Sequence, residues 1–300
     1  MIRRNFLTDA AAAQMYIDGV RRLKDPAQFP WPGRDDLSMY DMFVFWHHQS
    51  MMMMTPPNQS DRNAAHSGPA FLPWHRYFLI TLEGFLRQAV NDTNFRIPYW
   101  DWTADAELAE PVTSPVWSNQ NLGQFAGADW RVRLEMSLRT GDLQIVDRSL
   151  ERALGGGGRL PSRNEVRTVV RDQTVYDASP FNSFSSSGVR NYVEGWVGRE
   201  AIHNSVHVWI GGDMSLSSSP NDPVFFLHHC NVDRIWAAWQ EAHPASAYLP
   251  DMTAPDTLQF HRVDDALYSV FEETSTPGDM VDYKRYYEYD TISDLADLQV

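Results

Sequence analysis

The chain has 300 residues, 43% of them hydrophobic, with 11 Trp, 12 Tyr and 15 Phe, which is ample for a sizeable core. A formal charge of −14 argues against nucleic acid or an anionic membrane as the main partner. The lone cysteine, Cys230, excludes an intramolecular disulfide and suits a reducing compartment.

No run approaches the ~18 apolar residues needed to cross a bilayer. Asp9, Gln14 and Asp18 interrupt the N-terminal segment, so no signal peptide is expected. The expected location is cytoplasmic, or exported together with a partner protein.

Thr8-Asp9 reads as a cap for an amphipathic helix over Ala10 to Leu23, ended by Asp25-Pro26. Phe29 to Gly33 reads as a loop. Ser38 to Met54 carries Met39, Met42, Phe43 and Trp46 at helical spacing, with His47 and His48 near its end. The run Met51 to Met54 reads as flexible gap-filling near a core, or as soft thioether handling of Cu(I). A polar loop over 55–67 carries His66. Phe71 to Val90, with Pro73 in its first turn, is a predicted helix with His75 on its apolar face.

Arg96 to Trp102 is aromatic and extended, because Pro98 biases Ile97 away from helix. The segment from Thr103 to Gly141 reads as irregular, and Gly155 to Gly158 as a flexible surface loop. Pro161-Ser162 caps a short helix to about Arg171. Arg190 to Trp209 reads as a helix holding His203 and His207, stopped by Gly211-Gly212. Asp222 and Pro223 start another helix, on which Phe225, His229, Val232 and Trp236 share one face and His228 lies on the adjacent stripe. Tyr283 to Tyr289 reads as a short strand. The expected fold is mainly α: one domain over 1–300, a helical bundle with long loops and a few short strands.

A histidine on an apolar helix face is usually a hydrogen-bonded core residue. The set of ten reads differently. His203 and His207 stand at i, i+4 and can reach one ion, just upstream of the His228-His229 pair. His47, His66 and His75 form a second group. The Glu-x-x-His that a di-iron bundle needs twice occurs once at these histidines, as Glu200 to His203, and the His-Glu-x-x-His of zinc proteases occurs at none of them. Two imidazole-only sites fit a copper pair that binds dioxygen. Helix phase does not choose between His228 and His229.

Several segments, in order, resemble the tyrosinase family of binuclear copper proteins, its bacterial branch most closely: SDRNAAH (60–66), FLPWHR (71–76), IPYWDW (97–102), EGW (194–196), HNSVHVWIGGDM (203–214) and SPNDPVFFLHHCNVDRIW (219–236). The resemblance implies that His47, His66 and His75 hold one copper and that His203, His207 and His229 hold the other. It implies oxidation of monophenols or o-diphenols to o-quinones by dioxygen. A catechol or o-aminophenol oxidase is the narrower alternative, and an oxygen carrier like the hemocyanins the more distant one.

The same resemblance makes Glu194 and Asn204 the holders of a water that deprotonates a phenol. It makes Phe225 an aromatic gate over the second copper, and Asp233 the acceptor of a ligand N–H; a surface salt bridge with Arg234 is the plainer role for Asp233. Val208 stands where relatives can carry arginine, so it bears on substrate preference. Ala64 and Ala65 leave no cysteine for the thioether crosslink of plant and fungal members. Tyr287 and Tyr289 resemble the Tyr-x-Tyr that closes the family core near an N-terminal arginine, here Arg3. No C-terminal shielding domain is expected, which leaves an open site or a separate small copper-loading protein.

Overall fold

A computed structural model describes residues 1–198 and 201–296. The chain begins with a two-residue strand, β1 (Ile2–Arg3), and then α1 (Ala10–Leu23), which starts where the Asp9 carboxylate accepts the Ala12 amide. The Phe29–Gly33 segment is more than a loop: β2 (Pro30–Trp31) and β3 (Arg34–Ser38) form a small antiparallel hairpin. Helix α2 (Met39–Met52) follows at once. Its start is a reciprocal box, the Ser38 hydroxyl accepting the Asp41 amide and the Asp41 carboxylate accepting the Ser38 amide.

Helix α3 (Phe71–Val90) packs on α1 and later on the long α8. A single turn, α4 (Trp102–Asp105), follows. The stretch expected to be irregular ends in strand β4 (Arg131–Met136), paired antiparallel with β5 (Leu143–Ser149). Val132 and Leu134 alternate inward along β4, so the period-2 signal was present but short. Helix α5 (Arg163–Asp172) is boxed by Ser162 and Glu165 as its sequence suggests.

The single helix expected over Arg190 to Trp209 is two: α6 (Val189–Glu194) and α7 (Ile202–Ile210). Gly195 breaks it. Its φ of +102° lies in the left-handed region, and a Cβ there would meet the Ala201 carbonyl carbon at 2.9 Å. The break turns the C-terminal end of α6 toward His203. Helix α8 (Val224–Ala242) then crosses the centre, with the Asp222 carboxylate accepting the Val224 amide. The chain closes with α9 (Pro277–Val281), β6 (Glu288–Tyr289) and α10 (Ser293–Ala296). Only Glu288–Tyr289 of the expected 283–289 strand is extended, pairing parallel with β1.

The fold is mainly α. One hydrophobic cluster includes residues from Phe6 to Leu295. At its middle, α2, α3 and α8 interleave aromatic rings: Trp74 stacks on Phe78 at 4.9 Å, and Phe78 on Phe226 at 5.8 Å. Among the described residues no helix is long and apolar enough to cross a membrane.

Candidate metal centre

Each of the three central helices brings histidines to one place. Helix α2 contributes His47, α3 His75, and the loop between them His66; the three rings lie 4.8 to 5.9 Å apart. Helices α7 and α8 contribute His203, His207, His228 and His229, with one ring nitrogen from each within 4.8 Å of the others. Among the described residues, neither group contains a carboxylate or a thiolate. The groups touch: His75 stacks on His229 at 4.2 Å, and His66 lies 6.0 Å from His203.

Backbone carbonyls meet Nδ1 of four of the rings and fix their tautomers. The Nδ1–H of His47 donates to Ser217 O at 2.7 Å, that of His75 to Phe71 O at 2.8 Å, and that of His207 to Met214 O at 2.6 Å. His203 Nδ1 has two acceptors, Glu194 O at 3.2 Å and the Asn204 side-chain oxygen at 3.0 Å. An imidazole that gives up Nδ1–H keeps a lone pair at Nε2. The Nε2 atoms of His47, His75 and His203 are buried without a partner. His207 Nε2 lies 3.5 Å from His229 Nε2, too long for a good hydrogen bond and suited to two donors around one ion. Burial pushes the His47 and His207 rings down to about 3 and about 4, so both are neutral at physiological pH, as metal ligation requires. The donor set therefore fits two ions that accept imidazole.

A cavity of about 520 Å³ opens over the groups. His47, His66, His203 and His207 reach its floor, Asn204 and Met51 its sides, and the half-exposed Trp196 and Val208 its rim. Of the methionine run, Met52 and Met53 are exposed, so they fill no core gap.

Two residues depart from the roles expected of them. Phe225 does not gate the cavity. It is fully buried one helical turn before His229, wedged 4.1 Å from that ring and 4.9 Å from His47, at the back of the site. Asp233 accepts no ligand N–H and makes no ion pair with Arg234. Its oxygens take Arg76 Nε (2.6 Å), Arg3 Nη1 (3.0 Å), Tyr287 OH (2.5 Å) and Tyr289 OH. Arg234 instead pairs with Asp101 and Asp294. His47, His75 and His207 are oriented by backbone carbonyls, and His203 by a carbonyl and the Asn204 side chain, none of which a sequence motif announces. Ser217 is the clearest omission: its carbonyl holds His47 and its hydroxyl holds His48 at 2.7 Å, yet in the sequence it is one serine of a polar loop.

Glu194 is fully buried. Its Oε1 accepts the Ser67 amide at 2.5 Å and its Oε2 accepts Arg190 at 3.1 Å; Arg190 also holds Asp177. Burial raises its carboxyl above the usual range, against the pull of Arg190 and the Ser67 amide.

The His66 loop has its own anchor, His261. Its Nδ1 accepts the Ala70 amide at 3.3 Å and its Nε2–H donates to the Thr55 hydroxyl at 2.8 Å. Burial, helped by the Arg62 charge, lowers its ring to about 3. Unfolded, the same imidazole takes a proton near pH ~6.5. Stability from this group is therefore complete above that value and is lost as pH falls from 6.5 toward 3, at roughly 1 kcal/mol per pH unit. Urea titrations at pH 6 and pH 5 will show a fall for the native protein that the His261→Gln variant lacks by about that amount; identical falls exclude this role.

Two all-imidazole groups in contact inside a helical bundle define a binuclear metal protein. Residues 37–242 match the common central domain of tyrosinase. The chain is 37% identical over 264 residues to the tyrosinase of Streptomyces lincolnensis, covering 84% of this chain and 89% of that one. The solved polyphenol oxidase of Thermothelomyces thermophila shares the fold, with a TM-score of 0.68 at 22% identity over 97% of this chain and 89% of that one. An Octopus hemocyanin functional unit is also alike in fold, at 0.59 and 19% identity over 97% of this chain and 68% of that one. The chain belongs to the tyrosinase family, whose members use a binuclear copper centre. It is an enzyme of the tyrosinase and polyphenol oxidase class: a copper-dependent oxidase of monophenols, o-diphenols or both, with dioxygen as acceptor.

Proposed function

We propose that His47, His66 and His75 hold one copper, that His203, His207 and His229 hold the other, and that the enzyme both hydroxylates monophenols and oxidises catechols. The stack of His75 on His229 carries this reading, because it brings the two groups close enough to act on one small molecule. When bound, the copper pair activates dioxygen and takes the electrons that the phenol loses.

The chain's own residues handle the proton and the position of the ring. Asn204 lines the cavity and its side-chain oxygen meets His203 Nδ1, while the Glu194 carboxylate lies behind Ser67 and its backbone carbonyl meets the same ring nitrogen. We assign them a shared water that takes the phenol proton, a role favoured by the raised proton affinity of the buried Glu194. Trp196 and Val208 at the rim hold the aromatic ring over the floor. The short Val208 side chain leaves space beside it.

We also read the chain as a single catalytic domain that folds in a reducing compartment, cytoplasmic or before export with a partner. The buried, unpaired Cys230 and the shared core support this. The exposed Trp196 and Val208 suit the landing of a small copper-loading protein.

Reconstitution will give two copper ions per chain and turnover of both tyrosine and a catechol. One copper per chain overturns the ligand assignment. Catechol turnover without any tyrosine turnover leaves the narrower catechol oxidase reading.

A further inference from the structure

Two histidines of the first group each follow a tryptophan in the chain: Trp46-His47 on α2 and Trp74-His75 on α3. The fold joins the two pairs. The Trp74 ring lies 4.9 Å from His75 and 6.0 Å from His47, and Trp46 lies 5.5 Å from Trp74. Trp46 in turn stands 5.4 Å from Tyr77. Tyr77 lines an open groove of about 650 Å³, apart from the histidine cavity, with the exposed Glu272 and Glu273 beside it. An unbroken file of rings in contact thus runs from the histidines to solvent.

Packing accounts for rings of this size but not for their kind. Phe43, Phe78 and Phe271 fill the space around Trp46, and phenylalanine is hard to oxidise. Tryptophan and tyrosine give up an electron far more readily, and here they form a line sheathed by phenylalanine. Both indoles share one acceptor: Nε1–H of Trp46 and of Trp74 donates to Tyr268 O, at 3.1 and 2.9 Å. A carbonyl steadies an indole that has lost an electron, yet is too weak a base to take its proton. The positive charge therefore stays free to pass to the next ring. At the far end the Tyr77 hydroxyl donates to Glu273 O at 2.5 Å, beside the groove, where a released proton meets water.

We propose that Trp74, Trp46 and Tyr77 form an electron-transfer chain, which carries electrons from a phenolic reductant at the groove to the copper pair and spares the histidines when dioxygen reacts with no phenol in the cavity. The inference rests on the copper reading above and adds a protective activity to it. Reduction of dioxygen to two waters takes four electrons and four protons. The copper ions supply two electrons, each passing from Cu(I) to Cu(II). The other two arrive singly. Trp74 is oxidised first, Trp46 refills it, and Tyr77 refills Trp46 while its phenolic proton leaves to the groove water. The Tyr77 radical then takes a hydrogen atom from an o-diphenol, the class of reductant that the enzyme's own reaction uses. Two such cycles turn one o-diphenol into its quinone, and the remaining two protons come from solvent.

The test uses the copper-loaded enzyme, Tyr77→Phe and Trp46→Phe. Each protein is first shown to hold two coppers and to turn over a catechol. It is then reduced, freed of reductant, mixed with dioxygen in the absence of any phenol, and frozen for electron paramagnetic resonance. The native protein will show an organic radical whose line narrows when its tyrosines are ring-deuterated. Tyr77→Phe will lose that tyrosyl signal, and its radical will respond to deuterated tryptophan instead. Trp46→Phe will lose it too, although Tyr77 is intact. After repeated cycles, peptide mapping will find more oxidised His47 and His75 in both variants than in the native chain. Absence of a protein radical in the native enzyme overturns the proposal. So does a tyrosyl signal of native strength in either variant, or equal histidine oxidation in all three proteins. Failure of the copper reading is separately visible, because the native protein would then fail the copper count or the catechol assay before any freezing.

Discussion

In a Glu194→Gln variant, hydroxylation of a monophenol falls about a hundredfold, while oxidation of the matching catechol stays within about threefold; general-base contributions of this kind run from ~10² to 10⁴. Glutamine preserves the shape of the site. Its carbonyl oxygen can still accept the Ser67 amide, and Arg190 keeps its two contacts to Asp177 at 2.7 and 3.1 Å. What is lost is a group that can hold a proton. Burial raises the proton affinity of Glu194 against the opposing Arg190, which brings it toward the range useful for a base at neutral pH. A catechol is more acidic than a simple phenol and depends less on that base. Steady-state rates for tyrosine and for a catechol, each normalised to copper content, decide the matter. An equal loss with both substrates removes the assigned role.

Asp233→Ala destabilises the protein by about 3–5 kcal/mol, the usual effect of removing one partner from a buried ionic network. Asp233 is the common acceptor of two guanidinium groups and two phenols, all buried except the partly buried Tyr289. Arg3 lies 3.6 Å from the Tyr287 ring centre and also donates to Glu83, and Arg76 lies 3.8 Å from the Trp236 ring centre. Without the carboxylate, Arg76 has no buried anion among its partners. Burial alone would raise the Asp233 carboxyl, but Arg76 and Arg3 outweigh it and hold the group below its usual value. A depressed carboxyl stabilises the fold above its unfolded value near ~3.9 and loses that contribution as pH falls through the folded value. Urea unfolding at neutral pH measures the loss, and a change below about 1 kcal/mol would mean that the network is replaceable. In Asp233→Asn the two tyrosines keep an acceptor, so its loss will be smaller than that of the alanine variant.

The sequence made the helices legible wherever a cap and an apolar stripe coincide. Asp9, Ser38 and Ser162 mark the starts of α1, α2 and α5 within a residue. It failed where backbone conformation overrides side-chain pattern. Gly195 divides a stretch whose composition is helical throughout, and the β4–β5 hairpin shows only two inward alternations.

The site follows the same division. Helical spacing grouped the histidines, because spacing fixes which side chains share a face. It could not say how deep a face lies. Phe225 and Asp233 stand one turn on either side of His229, and the family resemblance implied duties at the copper for both. Phe225 instead packs at the back of the site. Asp233 meets partners more than two hundred residues earlier and some fifty later in the chain, and pairings that distant leave no local pattern to read. Arg3, Tyr287 and Tyr289 were found only through the family resemblance.

One short turn, residues 214–217, steers an imidazole in each histidine group: Met214 O holds His207 and Ser217 O holds His47. A shift of that turn cannot disturb one histidine group alone. It moves His207 and His47 in concert, so the separation of the two groups is geared to a two-residue spacer in the backbone. Changes there will act less on how tightly either ion is held than on how far apart the two stand.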